Sequence, residues 1–430
     1  MKKVKVGIIG FGTIGAGVVM ALKSKRALLK ARSGIDISIA AICDKDLKTR
    51  RPVKVDKKLL TRSIGRIMYD PDIDIVVELV GGITPTKDMV LEALRQGKHV
   101  VTANKALLSE AGGEIFALAN ALGLTVGFEA SVGGGVPIIR SLKESFIADR
   151  IDLIYGIING TSNFILSRMA EESISFADAL KLAQDKGYAE RDPRLDISGG
   201  DSAHKLSILA LLGFGVKVKP ADIYTEGITG IEQDDIEYAK EMGYAIKLLA
   251  IAKRSGKSLE LRVHPTLIPS SRLLAGVSGV YNAIFVKGDL VGDNLFYGKG
   301  AGAEPTSSAV VSDIVAIAKA MAGGSRKIED GIIINRDIDG IKKMDRVTTR
   351  HYIKFLAVDK PGVLTRISGI LAKNDISIAS VTQKERKAGD MVPIVMMTHE
   401  AAEKDMAKAL KEIGALKIVR KKLVRIRVED

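Results

Sequence analysis

The chain has 430 residues, long enough for two or three domains that each bury a core. Hydrophobic residues at 46% and charged ones at 27% exclude a disordered or fibrous chain, and no apolar run reaches the roughly 20 residues of a membrane span. A net charge of +14 raises nucleic acid as a partner, but aromatics at 4%, no Trp and dispersed lysines indicate solvated faces and anionic cofactor phosphates instead. Cys43, the single cysteine, rules out an internal disulfide and suits a reducing cytoplasm. Met1-Lys2-Lys3 opens like a signal peptide, yet Lys5 and the glycines from Gly7 to Gly17 make a poor signal core, so a cytoplasmic protein is expected.

Val4-Lys5-Val6-Gly7-Ile8-Ile9 reads as a buried strand, followed at once by Gly10-Phe11-Gly12-Thr13-Ile14-Gly15 and a helical pattern over residues 16–29. This is G-x-G-x-x-G in its required context, where glycines let the backbone approach a pyrophosphate at a helix N-terminus. NAD or NADP is therefore the expected cofactor. The second strand, residues 37–42, ends in Cys43-Asp44-Lys45. An acid there bonds the ribose hydroxyls of NAD, whereas Lys45, Lys48, Arg50 and Arg51 could receive a 2′-phosphate, so the choice stays open. A strand over 73–80 leads to Gly81-Gly82-Ile83-Thr84-Pro85, and after a helix over 87–96, His99-Val100-Val101-Thr102 ends in Ala103-Asn104-Lys105. Ligands of parallel sheets sit beyond the carboxyl ends of strands, which makes Gly81, Gly82, Thr84 and Lys105 candidates. A strand over 124–128 then delivers Glu129-Ala130-Ser131-Val132-Gly133-Gly134-Gly135-Val136-Pro137. Its glycines leave carbonyls accessible to a hard cation or a substrate, or else mark a hinge.

A strand over 153–158 precedes Asn159-Gly160-Thr161-Ser162-Asn163, where Thr161 and Ser162 offer N-cap oxygens. The densest chemistry lies in Gly187-Tyr188-Ala189-Glu190-Arg191-Asp192-Pro193-Arg194-Leu195-Asp196-Ile197-Ser198-Gly199-Gly200-Asp201-Ser202-Ala203-His204-Lys205. Pro193 and Gly199-Gly200 are expected to keep its first part out of helix, and residues 201–212 to form a helix with Asp201 and Lys205 one turn apart. Such a pair is also common on solvated helix faces. Later, Tyr297-Gly298-Lys299-Gly300-Ala301-Gly302 opens a helix over 307–320, which suits phosphate or nicotinamide contact.

The run G-Y-A-E-x-D-P-x-x-D-x-x-G-x-D-x-x-x-K resembles the signature of the homoserine dehydrogenases. The resemblance implies an α/β protein with a Rossmann-type dinucleotide-binding domain over 1–130. It also implies a mixed α/β substrate and dimerisation domain over 131–330, whose helix at about 305–320 returns to the first domain. It implies that Glu190 and Asp201 hold the substrate, that Lys205 exchanges a proton with its hydroxyl, and that Lys105, in T-A-N-K, meets cofactor and substrate. Gly187 and Gly302 would touch the cofactor, and Asn159-Gly160-Thr161 would border the site. A monovalent cation, sodium or potassium, would be held by Glu129 and the carbonyls of Val132, Gly134 and Val136. The implied activity is the reversible, NAD(P)-dependent interconversion of L-homoserine and L-aspartate 4-semialdehyde in threonine, methionine and isoleucine biosynthesis, by a homodimer or homotetramer. The alternatives are a non-catalytic dinucleotide and amino-acid sensor, or a dehydrogenase of another small amino acid. A sensor has no reason to carry the run from Glu190 to Lys205.

Residues 323–344 read as a linker, and the tail then runs strand 352–358, turn Asp359-Lys360-Pro361-Gly362, helix 363–374, strands 376–383 and 392–398, helix 400–413, strand 419–428. That order is a ferredoxin-like β-α-β-β-α-β unit. With D-K-P-G-V-L in its first turn, residues 349–430 resemble an ACT domain, which implies an amino-acid effector, threonine above others, near Asp359, Gly362, Val363 and Ile376. The alternative is a module that only strengthens a dimer through a sheet edge. The alternating basic residues from Arg420 to Arg427 are read as a solvated sheet face rather than a nucleic-acid contact.

Overall fold

Apolar runs bounded by glycine turns make strands buried on both faces, and these form the first of two folding units, Met1–Asp152, His204–Asp222 and Asn282–Asn335. The computed structural model describes residues 2–325, 337–383, 391–420 and 423–430. In the first unit six parallel strands lie in the order Leu60–Thr61, Asp36–Cys43, Lys3–Ile9, Ile75–Glu78, His99–Thr102, Val126–Gly127. The order reverses beside Lys3–Ile9, which creates the crevice at strand carboxyl ends where such sheets take ligands. The strand expected over 124–128 is only Val126–Gly127, because Phe128 turns the chain into a 3-10 turn, Glu129–Ser131. The single helix expected over 16–29 is two, Thr13–Ser24 and Arg26–Ser33, parted at Lys25. The first buries Ala16, Val18, Val19 and Leu22, whereas the second buries nothing, so no shared apolar stripe keeps them collinear. Helix Ala303–Ala322 packs on Thr13–Ser24, and a Cβ at Gly17 would lie 2.4 Å from Ser307 Oγ, so glycine sets how closely these helices approach.

The second unit comprises Leu153–Ala203, Ile223–Tyr281 and Arg336–Asp430. Its C-terminal part places Val424–Val428, Thr348–Val358, Met391–Thr398 and Ile378–Gln383 side by side, antiparallel throughout. Helices Val363–Lys373 and Glu403–Gly414 cover that sheet through Ile367, Leu371, Met406, Ala409 and Ile413, completing the ferredoxin-like unit. The edge of this unit is not free. Val424–Val428 also pairs in parallel with Ser258–Pro269 (Thr266 with Arg427, Leu267 with Val428), so one sheet continues through Ser258–Pro269 into Tyr244–Ser255. Of the expected linker, residues 326–336 lie outside the described residues, and Gly340–Ile341 adds a short parallel strand to Ser258–Leu259.

The basic strand corrects the reading of its side chains. Residues 421 and 422 lie outside the described residues, and the strand proper starts at Val424. Arg427 is 0% exposed, its guanidinium bonded to Glu403, to Glu226 at 2.8 Å and to the Tyr224 hydroxyl at 3.0 Å. Arg425 bonds Glu403 as well, at 3.0 Å. Period-two alternation puts Arg425 and Arg427 on one face, and Glu403 and Glu226 cover that face. Burial alone would raise the Glu403 carboxyl, yet the Arg427 guanidinium holds it below the ordinary carboxylate range.

Candidate active site

In the first unit the glycine turn divides its labour. Gly10 has φ +101, and a Cβ there would lie 2.6 Å from Leu79 O; a Cβ at Gly15 would lie 2.1 Å from Gly10 O. Those two glycines let strand and helix touch. Gly12 is exposed and a Cβ there would meet no protein atom within 4 Å, so its absent side chain leaves room on the ligand side. Thr13 and Ile14 begin the helix, whose free amides face the same mouth. At the end of the second strand, Asp44 accepts from Phe11 N at 2.5 Å and from Asp46 N at 2.7 Å, which fixes its carboxylate beside the turn. Lys45 is exposed. Arg51 donates to the carbonyls of Phe11 at 2.5 Å and Thr49 at 3.1 Å and pairs with Asp46, so its guanidinium is already committed.

The next two strand ends are braced by groups the sequence reading passed over. Buried Glu78 accepts from Val80 N at 2.7 Å, Gly81 N at 3.1 Å and the Thr102 hydroxyl at 2.6 Å. Asn104 caps helix Lys105–Ala121 by accepting from Leu107 N at 3.1 Å, while its amide donates to Gly82 O at 2.6 Å. Lys105 is thus the first residue of a helix whose start is pinned to the exposed loop carrying Gly81, Gly82 and Thr84. An Asn directly before a helical pattern is a legible cap signal; a glutamate at the end of an apolar strand is not.

Glu129 is buried, and its two oxygens accept from Ile139 N at 2.9 Å and Arg140 N at 2.8 Å. Burial raises its pKa, opposed by those amides and by Arg140. Buried Asp313, which sequence reasoning missed, accepts from Glu129 N at 2.8 Å and is pushed up to about 7 by its burial. Val132, Gly134 and Val136 follow on a turn in which Gly133 and Gly134 have φ of +71 and +55. The Val136 carbonyl accepts from Ile138 N at 2.8 Å, leaving one lone pair to offer. A Cβ at Gly134 would lie 2.5 Å from Gly300 O, and a Cβ at Gly300 would lie 2.0 Å from the Asn282 amide, whose Oδ1 is buried without a hydrogen-bond partner among the described residues. Carboxyl, carbonyl and amide oxygens are the donor types a hard cation takes, but both Glu129 oxygens here already accept backbone amides. Gly302, exposed, caps helix Ala303–Ala322 in this same unit.

In the second unit the long run, as far as Ala203, folds around one side chain. Asn159 caps helix Gly160–Glu172 by accepting from Ser162 N at 2.8 Å, and its amide donates to Asp196 at 2.7 Å and to Asp201 at 2.9 Å. Thr161 and Ser162 are not the caps. Their hydroxyls instead donate to Tyr188 O at 2.7 Å and Asp196 O at 3.0 Å, tying down the loop between. That loop is also more helical than expected: Arg194–Ile197 is a helical turn and Gly200 already opens the next helix, Gly200–Phe214. Pro193 sits just before the turn, where a helix needs no amide donor, so it starts the turn rather than preventing it. Gly187 has φ +72, Glu190 is exposed, and Asp192 is spent on a surface pair with Arg194 at 2.5 Å. Asp201 is 3% exposed and Lys205, one turn along the same helix, is 9% exposed. A solvated surface pair is excluded by that burial. At the C-terminal candidates, Gly362 takes φ +85 as the cap of Val363–Lys373, Val363 is buried, and Asp359 accepts from Gln383 at 3.2 Å. Ile376, like Val363, is a core residue whose amide is already bonded, to Leu371 O at 3.0 Å.

Against known proteins, the family described as homoserine dehydrogenase, NAD binding domain, matches residues 10–129, the family described as homoserine dehydrogenase matches 137–315, and the ACT domain family matches 351–417. The homoserine dehydrogenase of Neisseria gonorrhoeae is 44% identical, covering 100% of this chain and 99% of its own. The crystal structure of a homoserine dehydrogenase from Thiobacillus denitrificans is 44% identical with a TM-score of 0.93, covering 100% of this chain and 99% of that one. A hyperthermophilic archaeal homoserine dehydrogenase in complex with NADPH is 25% identical with a TM-score of 0.61, over 73% of this chain and 97% of that one.

Proposed function

The chain belongs to the homoserine dehydrogenase family, an NAD(P)-dependent oxidoreductase with a C-terminal ACT domain, and from that premise we propose a role for each residue of the site. The reaction interconverts L-homoserine and L-aspartate 4-semialdehyde. The observation that carries the reading is the burial of Asp201 and Lys205 one turn apart, with Asp201 held by Asn159. Lys205 donates a proton to the alkoxide that develops as the aldehyde is reduced, and takes it back in the oxidising direction. Asp201 and Glu190 bind the substrate's amino group and polar end, and Lys105, on its pinned helix start, orients the substrate and meets the cofactor. A bound nicotinamide cofactor supplies or accepts the hydride; Gly10, Phe11, Gly12, Thr13, Ile14 and Gly15 would hold its pyrophosphate, with Gly81, Gly82, Thr84, Gly187 and Gly302 along its length. Asp44, fixed beside the turn while Arg51 is committed elsewhere, favours the ribose hydroxyls of NAD over a 2′-phosphate.

Glu129 with the carbonyls of Val132, Gly134 and Val136 would hold a sodium or potassium ion, whose single charge would offset that of Glu129. The ACT domain senses an amino acid, threonine, around Asp359, Gly362, Val363 and Ile376. The enzyme works as a homodimer or homotetramer in the cytoplasm, in threonine, methionine and isoleucine synthesis; among the described residues no helix is long and apolar enough to cross a membrane. The test is formation of NADH or NADPH on adding homoserine to the purified full chain, repeated with sodium, potassium and threonine. No absorbance change with either cofactor refutes the activity. Truncation before the ACT domain is a poor test of sensing, because it strips Val424–Val428 from Ser258–Pro269.

A further inference from the structure

The buried guanidinium of Arg427 reaches the substrate loop through a short chain of contacts. It bonds Glu226 at 2.8 Å and the Tyr224 hydroxyl at 3.0 Å, and lies 5.0 Å from the Tyr224 ring centre. The Tyr224 hydroxyl in turn donates to Glu226 at 3.0 Å. Tyr224–Thr225 is a short strand beside Arg262 and Val263, and Glu226 N donates to Val263 O at 2.8 Å. The residue after Glu226 is Gly227, and it is pressed against the substrate loop: a Cβ there would lie 2.2 Å from Ile197 O and 2.7 Å from Ser198 Cα. Ile228 N then donates to Ile197 O at 2.9 Å. From the other side, Gly199, at φ +87, would put a Cβ 3.0 Å from Thr225. The turn so clamped, Arg194–Ile197, carries Asp196, which shares the Asn159 amide with Asp201.

We propose that Arg427 and Glu226 are positioning residues for substrate binding: the last strand of the C-terminal module holds segment 224–228, and that segment sets where the Asp196 and Asp201 carboxylates stand. Segment 224–228 shares a folding unit with Asp196 and Asp201, and the contacts above end at their loop, so the effect expected is on the substrate. The proposal rests on the dehydrogenase reading. Glu403 keeps Arg427 bonded when Glu226 is changed, and the Glu226 side chain is 37% exposed, so truncating it leaves no buried charge alone.

The experiment compares wild type with Glu226→Ala and Glu226→Gln in the full chain, by steady-state kinetics and thermal melting. Coupling through packed contacts of this kind shifts affinities by about 3- to 30-fold. Glu226→Ala should raise the homoserine KM within that range while the cofactor KM stays unchanged. Glu226→Gln, which keeps an acceptor facing Arg427, should recover part of the loss. An unchanged homoserine KM in Glu226→Ala overturns the proposal. So does a parallel rise in both KM values with a large fall in Tm, which marks general loosening. If wild type itself does not oxidise homoserine, the functional reading falls and this inference falls with it.

Discussion

Asn159 offers the sharpest test of how the loop proposed to bind the substrate is held, because one amide serves two carboxylates while its oxygen caps a helix. Asn159→Ala removes all three bonds. The cap contributes about 1 kcal/mol, and a hydrogen bond to a charged group about 1.5–3 kcal/mol. Because Asp196 is only half-buried and water can replace part of the loss there, the total is about 3–4 kcal/mol. At about 2–4 °C per kcal/mol for a folding unit of this size, the melting temperature drops by about 10 °C. Asn159→Ser keeps a capping oxygen but has no amide to bridge Asp196 and Asp201, so it should lose less stability yet raise the homoserine KM about tenfold, as Ala does. Asn159→Asp also caps, but sets a third carboxylate against the other two and should be the worst substrate binder. Melting curves and initial rates with varied homoserine separate the terms. A wild-type homoserine KM in Asn159→Ser would show that the bridge has no part in placing Asp201.

Lys205→Ala should lower kcat by about a hundredfold or more with little change in homoserine KM, since proton transfer counts mainly in the transition state; near-normal turnover would move the proton to Lys105. Asp44→Ser should shift the ratio of kcat/KM for NADP over NAD upward by about tenfold, one lost charge repulsion at the ribose, and an unchanged ratio would detach Asp44 from cofactor choice. His351 concerns acid stability. Burial first of all lowers its pKa from 6.5 to about 4, so the unfolded chain binds more protons between those values and stability falls as pH drops through that window. Between pH 6.5 and 4.5, denaturation of His351→Gln should therefore lose about 2 kcal/mol less stability than wild type does. Equal losses would mean His351 titrates normally.

Much of this protein was legible in contiguous sequence. A strand, a glycine turn and a helix start are neighbours in the chain, so Gly10, Gly12 and Gly15 declare a dinucleotide turn before any packing is known. The spacing of Asp201 and Lys205 places them on one helix face for the same reason, and the tail's order of strands and helices already states its topology. What lay beyond reach was every feature made by partners distant in the chain. Asn159 meets carboxylates 37 and 42 residues on, and Glu129 meets Asp313 at a separation of 184, so neither the shared amide nor the carboxyl pair leaves a local pattern. Burial is decided the same way. Arg425 and Arg427, two apart on a strand, look solvated because periodicity reports which side chains share a face, not what covers it. Only when Val424–Val428 pairs with strands on both edges do Glu403 and Glu226 close over Arg427 and make a surface pattern into a buried link to the substrate loop.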